Sequence, residues 1–239
     1  MDKRIEQVHD PRARAWEGLH QAAFGVLSQH VPPPRDVWDV GCGQGAFSKL
    51  VLEAGYHVRG VDGDIQQCRV LGVPCDSLDL NDVAQVEHFV RAQGGRADVT
   101  VALEIIEHIR NPWAFMRFCA DMTKPGGHIL LSTPHIESIY SRLLFLRTGQ
   151  FLMFQDYRKL FGHINPMTAS ELEPIFDHYR LQILVKVFPC QMPRGGTLRH
   201  RLGMLASWIV RPFAKGDKEG ILLMYLLRKR GDGSEDITT

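Results

Sequence analysis

Residues 36–40, DVWDV, form an apolar stretch that runs straight into GCGQG and then into AFSKLVLEAG. No other feature constrains the fold as strongly. Three glycines within five residues let the backbone turn tightly and bring its N–H groups close to a ligand with no Cβ in the way. Beyond them Phe47, Leu50, Val51 and Ala54 recur at i, i+3, i+4 and i+7, the stripe of an amphipathic helix, and Gly55 is a natural stop. A strand handed to a helix through glycines predicts strands alternating with helices, hence a parallel sheet covered on both faces.

The rest of the chain repeats that rhythm. YHVRGVD (56–62), VPCDSL (73–78), DVTVAL (98–103), HILLSTP (128–134), LQILVKVF (181–188) and ILLMYLL (221–227) read as strands. A helix over 13–31 stops at PPP (32–34), and KPGG (124–127) reads as a turn. Asn111 and Pro112 supply an N-cap and a first-turn proline for a helix that buries Phe115, Phe118, Cys119 and Met122. TASELEPIF carries capping-box signals at Thr168 or Ser170. The expected architecture is α/β, a doubly wound, mostly parallel seven-stranded sheet. It forms a single domain over 1–239, with a helical cap at 1–34, a lid insertion at 136–165 and a frayed tail at 230–239.

Composition removes some functions. Twenty-eight basic residues against 27 acidic leave a net charge of +1, which argues against nucleic acid as a partner. The five cysteines are odd in number and include no C-x-x-C pair, so a reduced, cytoplasmic chain is expected. The first residues carry no apolar signal core, and no apolar run approaches the ~18 residues that span a bilayer.

Asp62 ends the second strand, 21 residues after Gly41. A carboxylate there can accept both ribose hydroxyls of a nucleoside, as in G-x-G-x-x-A sites. Loop and acid together point to a nucleoside cofactor, either NAD or S-adenosylmethionine. VWDVGCGQG, GVDGD, CDSLDL, VALEIIEH and KPGGHILLSTP then occur in an order and spacing that resemble class I S-adenosylmethionine-dependent methyltransferases. The likeness is to the branch with the ubiquinone-pathway O-methyltransferases and small-RNA 2′-O-methyltransferases, and it covers roughly residues 30–190. It implies that Gly41, Cys42 and Gly43 line the methionine part of the cofactor. Asp39 would brace the loop or reach the amino group, and Asp62 would hold the ribose. Asp76 with the Ser77 backbone would meet the adenine amine, with Asp79 as rival. Leu103 would offer its carbonyl to the ammonium.

Glu104, Glu107 and His108 crowd the end of the fourth strand at spacings that would share one helical face. Two carboxylates so placed repel unless a positive group lies between them. The resemblance implies a divalent site (Mg²⁺, Mn²⁺ or Zn²⁺) built from Glu104, Glu107, His108 and a later histidine. His163 is the first choice for that histidine, and His128 and His135 are the alternatives. Without a metal, His108 or His163 acts as a base beside Glu104, or His108 is a satisfied core residue. The basic, apolar segments 136–162 and 199–215 suggest a lid, or a surface for a lipid-linked substrate and peripheral membrane contact. The expected function is O-methylation of a small or lipid-like acceptor. An RNA 2′-O-methyltransferase and a non-catalytic S-adenosylmethionine-binding partner are the alternatives.

Overall fold

The computed structural model describes residues 15–68, 70–155, 162–191 and 205–231. Parts of the expected cap, insertion, basic segment and tail, including Arg158 and Lys159, fall outside the described residues. Helix α1 (Leu19–His30) leads into β1 (Asp36–Val40), α2 (Ala46–Glu53), β2 (His57–Asp62) and β3 (Cys75–Ser77). Then follow α3 (Val83–Gln93), β4 (Ala97–Leu103), α4 (Pro112–Met122), β5 (Thr123–Pro134), α5 (Ile139–Thr148), α6 (Ala169–His178), β6 (Leu181–Val187) and β7 (Leu222–Lys229). The seven strands lie in the order β3-β2-β1-β4-β5-β7-β6. β1 to β5 pair in parallel, while β7 runs antiparallel between β5 and β6.

Both faces of the central strands β1, β4, β5 and β7 are buried, which is why these read as nearly continuous apolar runs. In β7, Leu222, Met224 and Leu226 join the core layer that contains Leu19, Leu27 and Phe47. Leu223, Tyr225 and Leu227 join the opposite layer with Phe115, Phe118 and Phe176. The period-two alternation of a strand feeds two cores at once.

Local chemistry sets the helix ends. Asn111 Oδ1 accepts from the Ala114 amide at 3.1 Å and opens α4. Thr168 and Glu171 form the reciprocal capping box of α6. Three expectations are corrected. KPGG does not break the chain before the fifth strand. β5 begins at Thr123, and the register shift against β4 between Ala97 and Val99 takes up the extra residues as a bulge. A helix, α3, fills 83–93, where no element had been expected. Its Asp82 cap accepts from the Gln85 amide at 3.1 Å, but none of its side chains is fully buried, so its apolar stripe is weak. Cys68 and Cys75 are joined as a disulfide, against the reduced reading, because β2–β3 pairing closes a seven-residue separation that no C-x-x-C spacing announces.

Candidate active site

In a sheet of this order the connections reverse between β1 and β4, and the carboxyl ends of those strands open a crevice there. A cleft of about 840 Å³ lies at that point. One wall is the glycine loop. The Gly41 amide donates to Val61 O at 2.7 Å, which hangs the loop from β2. Gly41 has φ +74°, and a Cβ there would lie 2.9 Å from the Ile105 side chain. Gly43, at φ +53°, has nothing within 4 Å of where a Cβ would stand. The first glycine is therefore demanded by packing and the second by conformation, which leaves open space beside the loop.

Two carboxylates stand behind the loop. Asp62 Oδ2 accepts from the Gly43 amide at 2.8 Å, and Oδ1 accepts from the Asp64 amide at 2.9 Å. Asp39 is buried and accepts from Ser48 Oγ at 2.6 Å. Burial, with the charge of Asp62 adding to it, pushes the Asp39 carboxyl up to about 6 despite that bond. Burial and both aspartates push the Cys42 thiol up to about 12. The loop is thus short of positive charge, a setting that favours a cationic ligand group.

The opposite wall is the turn after β4. Glu104 takes a left-handed backbone, φ 55°, rare for a residue with a side chain. Its amide donates to Ser132 O at 3.2 Å, and Ser132 Oγ lies 3.4 Å from its carboxylate. Burial pushes the Glu104 carboxyl up to about 8. Glu107 is fully buried and held well above the usual carboxylate range by burial and by Glu104. Thr133 Oγ1 approaches Glu107 Oε2 at 3.4 Å, while Oε1 has no hydrogen-bond partner. The Glu107 carbonyl accepts from the Ile164 and Asn165 amides at 2.9 and 3.0 Å. Those two bonds carry His163 to the turn, where its ring meets His108 edge-on with centroids 4.6 Å apart.

The expected site residues divide accordingly. Asp39, Gly41, Cys42, Gly43, Leu103, Glu104, His108 and His163 line the cleft, and Asp62 braces its loop. Asp76 is engaged elsewhere. It pairs with Arg59 at 2.7 Å, and that guanidinium lies over the Trp38 ring. Neither Asp76 nor Ser77 lines the cleft, and Asp79 is exposed, its carboxylate accepting from the Asn81 amide at 2.9 Å. Of the four acids and histidines expected together, three come closest. One potential ligand atom from each of Glu107, His108 and His163 falls within a mutual 4.8 Å, without Glu104. The reason is local: only Ile106–His108 form a helical turn, of the 3₁₀ kind, and Glu104 precedes it in a different conformation. His128 pairs within the sheet opposite Val99, and the Nδ1–H of His135 donates to Glu219 O at 2.8 Å against the Phe188 ring, so neither joins the set. Trp16, His20 and Met153 also line the cleft. No spacing rule finds them, because their contact with the loop is tertiary.

The family described as "Methyltransferase domain" matches residues 8–185. The chain belongs to that family. A ubiquinone biosynthesis O-methyltransferase of Ralstonia nicotianae is 35% identical to this methyltransferase-domain chain over 103 residues, covering 41% of it and 43% of the relative. The same enzyme of Cupriavidus pinatubonensis is 30% identical over 142 residues, covering 58% and 56%. The chain thus spans about half the length of these curated relatives. In fold, it superposes on a SAM-dependent methyltransferase from Archaeoglobus fulgidus with a TM-score of 0.60 at 17% identity, covering 88% of this chain and 94% of that one. It also superposes on the 1,6-didemethyltoxoflavin-N1-methyltransferase of Burkholderia thailandensis, solved with S-adenosylhomocysteine, with a TM-score of 0.56 at 15% identity, covering 88% and 78%.

Proposed function

We propose that this chain transfers the methyl group of S-adenosylmethionine to a hydroxyl oxygen of a small or lipid-like acceptor. The observation that carries the reading is a cleft at the β1–β4 switch point with a glycine loop on one wall and a carboxylate–histidine turn on the other. The Gly41–Gly43 loop takes the methionine part, Asp62 the ribose, and the Leu103 carbonyl the ammonium. Asp39 supplies negative charge beneath. Methyl transfer is an in-line displacement: the acceptor oxygen attacks the methyl carbon, the carbon–sulfur bond breaks, and the sulfonium becomes a neutral thioether. The sulfonium makes the methyl electrophilic by itself, so the protein must place the acceptor and take its proton. His108 or His163 accepts that proton, since imidazole titrates near neutrality.

Glu107, His108 and His163 also fit a divalent ion, because a buried carboxylate oxygen without a partner stands beside two imidazoles. Mg²⁺, Mn²⁺ or Zn²⁺ bound there would lower the pKa of an acceptor hydroxyl. The donor set, with two nitrogens, suits Zn²⁺ or Mn²⁺ better than Mg²⁺.

The finer reading adds a lipid surface. Arg142 donates to Lys215 O at 2.8 Å, which joins α5 to the 205–215 segment. Leu146, Trp208 and Phe213 stand exposed on these two segments at 80%, 71% and 85%. Among the described residues no helix is long and apolar enough to cross a membrane. A peripheral surface beside an insertion that covers the acceptor suits a lipid-linked substrate.

The test is turnover: formation of S-adenosylhomocysteine against a panel of catecholic and hydroxylated aromatic acceptors, with an RNA pool as comparison. His108→Ala and His163→Ala should each lose activity while still binding cofactor. EDTA followed by Zn²⁺ or Mn²⁺ separates the metal form from the metal-free base. Full activity of both variants on the true acceptor would refute the assigned turn.

A further inference from the structure

Three of the five cysteines meet beside the glycine loop, and of the three only Cys42 also lines the cleft. Cys42 comes from the loop after β1, Cys68 from the turn after β2, and Cys75 from the start of β3. Their sulfurs all lie within 4.8 Å of one another. Gly60 makes the room. A Cβ on this β2 residue would stand 2.7 Å from Cys75 Sγ and 2.8 Å from Cys42 Sγ, so two sulfurs occupy the space that any other side chain would fill. The third, Cys68 Sγ, lies 3.7 Å from where a Cβ of Gly45 would stand, at the N-cap of α2.

We propose that Cys42, Cys68 and Cys75, in their reduced form, make a thiolate site for a soft cation such as Cu⁺ or Zn²⁺ beside the glycine loop. Thiolates select such ions over Mg²⁺ and Ca²⁺. Tetrahedral Zn–S bonds of about 2.3 Å place sulfurs ~3.8 Å apart, a spacing within reach of three sulfurs that all lie within 4.8 Å of one another once reduction lets Cys68 and Cys75 separate. The charges of Asp39 and Asp62 act on Cys42 from nearby and offset that of the ion. Three thiolates leave a fourth tetrahedral position for a small ligand or water. An occupied site would tie three segments together: the loop that lines the cleft, the turn after β2 and β3.

The Cys68–Cys75 disulfide is the competing state of the same sulfurs. A dithiol reductant opens it. One reductant thiolate attacks a cysteine sulfur, the S–S bond breaks and the other cysteine leaves as a thiolate that takes up a proton. The second reductant thiol then resolves the mixed disulfide, giving two cysteine thiols and an oxidised reductant. Binding then exchanges up to three protons for the ion.

The probe is Cd²⁺, because its bonds to thiolates give an ultraviolet charge-transfer absorption that carboxylates and imidazoles do not. The full chain, reduced with dithiothreitol and desalted anaerobically, should show this band saturating at one ion per chain. Cys68→Ser and Cys75→Ser should each weaken binding at least tenfold, as should Cys42→Ser. Cys119→Ser, Cys190→Ser and Glu107→Gln should leave it unchanged. Cys68 is not part of either buried core, so its variant remains a fair test even if Cys42→Ser fails to fold. No band in the reduced chain, or an equally tight one in folded Cys68→Ser, overturns the proposal. Neither readout depends on cofactor or turnover, so failure here is distinct from failure of the methyltransferase reading.

Discussion

Asp39 and Asp62 lie at the carboxyl ends of adjacent parallel strands and behave differently, because one is buried and the other accepts two backbone N–H bonds. The folded carboxyl of Asp39 is raised to about 6 from 3.8. A raised acid has its stability fully present below the unfolded value and loses it as pH rises through the folded one. Asp39 therefore weakens the cofactor-free fold above pH 6, by up to about 3 kcal/mol. Asp39→Asn keeps an oxygen for Ser48, so thermal unfolding should show it more stable than the parent at pH 8 and no better near pH 4. Asp62→Ala should weaken S-adenosylmethionine binding about ten- to a hundredfold by calorimetry, since hydrogen bonds to a charged group contribute roughly 1.5–3 kcal/mol. His135 has the opposite sign. Burial lowers its imidazole to about 4, so the stability it contributes is complete above pH 6.5 and is lost as pH falls towards 4. His135→Phe should be less stable at pH 7, where the bond to Glu219 O is gone, yet show a flatter decline in unfolding temperature between pH 6.5 and 4. That Gly41 would sit in a tight strand-to-helix loop and Asp62 at a strand end beside it was legible in the sequence, because glycine and a strand-end acid have few other uses at that spacing. The engagement of Asp76 was not. Its partner, Arg59, lies on a neighbouring strand, and only the β2–β3 register reveals the pair.

Elements were readable where their ends carried side-chain caps and their faces were strongly apolar. α6 had both, in Thr168 with Glu171 and in the buried Leu172, Ile175 and Phe176. Thr168→Ala should cost about 1 kcal/mol in a denaturant titration, the usual loss for an N-cap, with m unchanged. α3 was capped just as plainly, by Asp82 with Gln85 three residues on, but Val86, Phe89 and Val90 are only partly buried and gave a fainter stripe. The turn after β4 misled for another reason. Spacing cannot distinguish an α-helical face from a 3₁₀ turn entered through a left-handed residue, and that conformation of Glu104 removes it from the histidine pair.

At the scale of the whole molecule, the Arg142–Lys215 bond joins α5 to the 205–215 segment across 73 residues of sequence. Vesicles rich in anionic lipid should bind the chain at low salt and release it as salt screens the charge, with Trp208→Ser and Phe213→Ser weakening flotation. Each segment was recognisable in the sequence; their joining was not, because it depends on where β7 runs. That strand is the last among the described residues, yet it sits between β5 and β6 with six consecutive buried side chains. On the ribosome, everything up to residue 221 is synthesised before the piece that completes the sheet. Until then the outer edge of β5 is unpaired and β6 has no neighbour within the sheet. The nascent protein thus carries a long sticky edge from the completion of β5 at Pro134 until β7 begins at Leu222, a stage when aggregation is easy. Ribosome-bound chains halted before β7 should be digested readily by protease and be held by chaperones, and those extended past Lys229 should become resistant in one step.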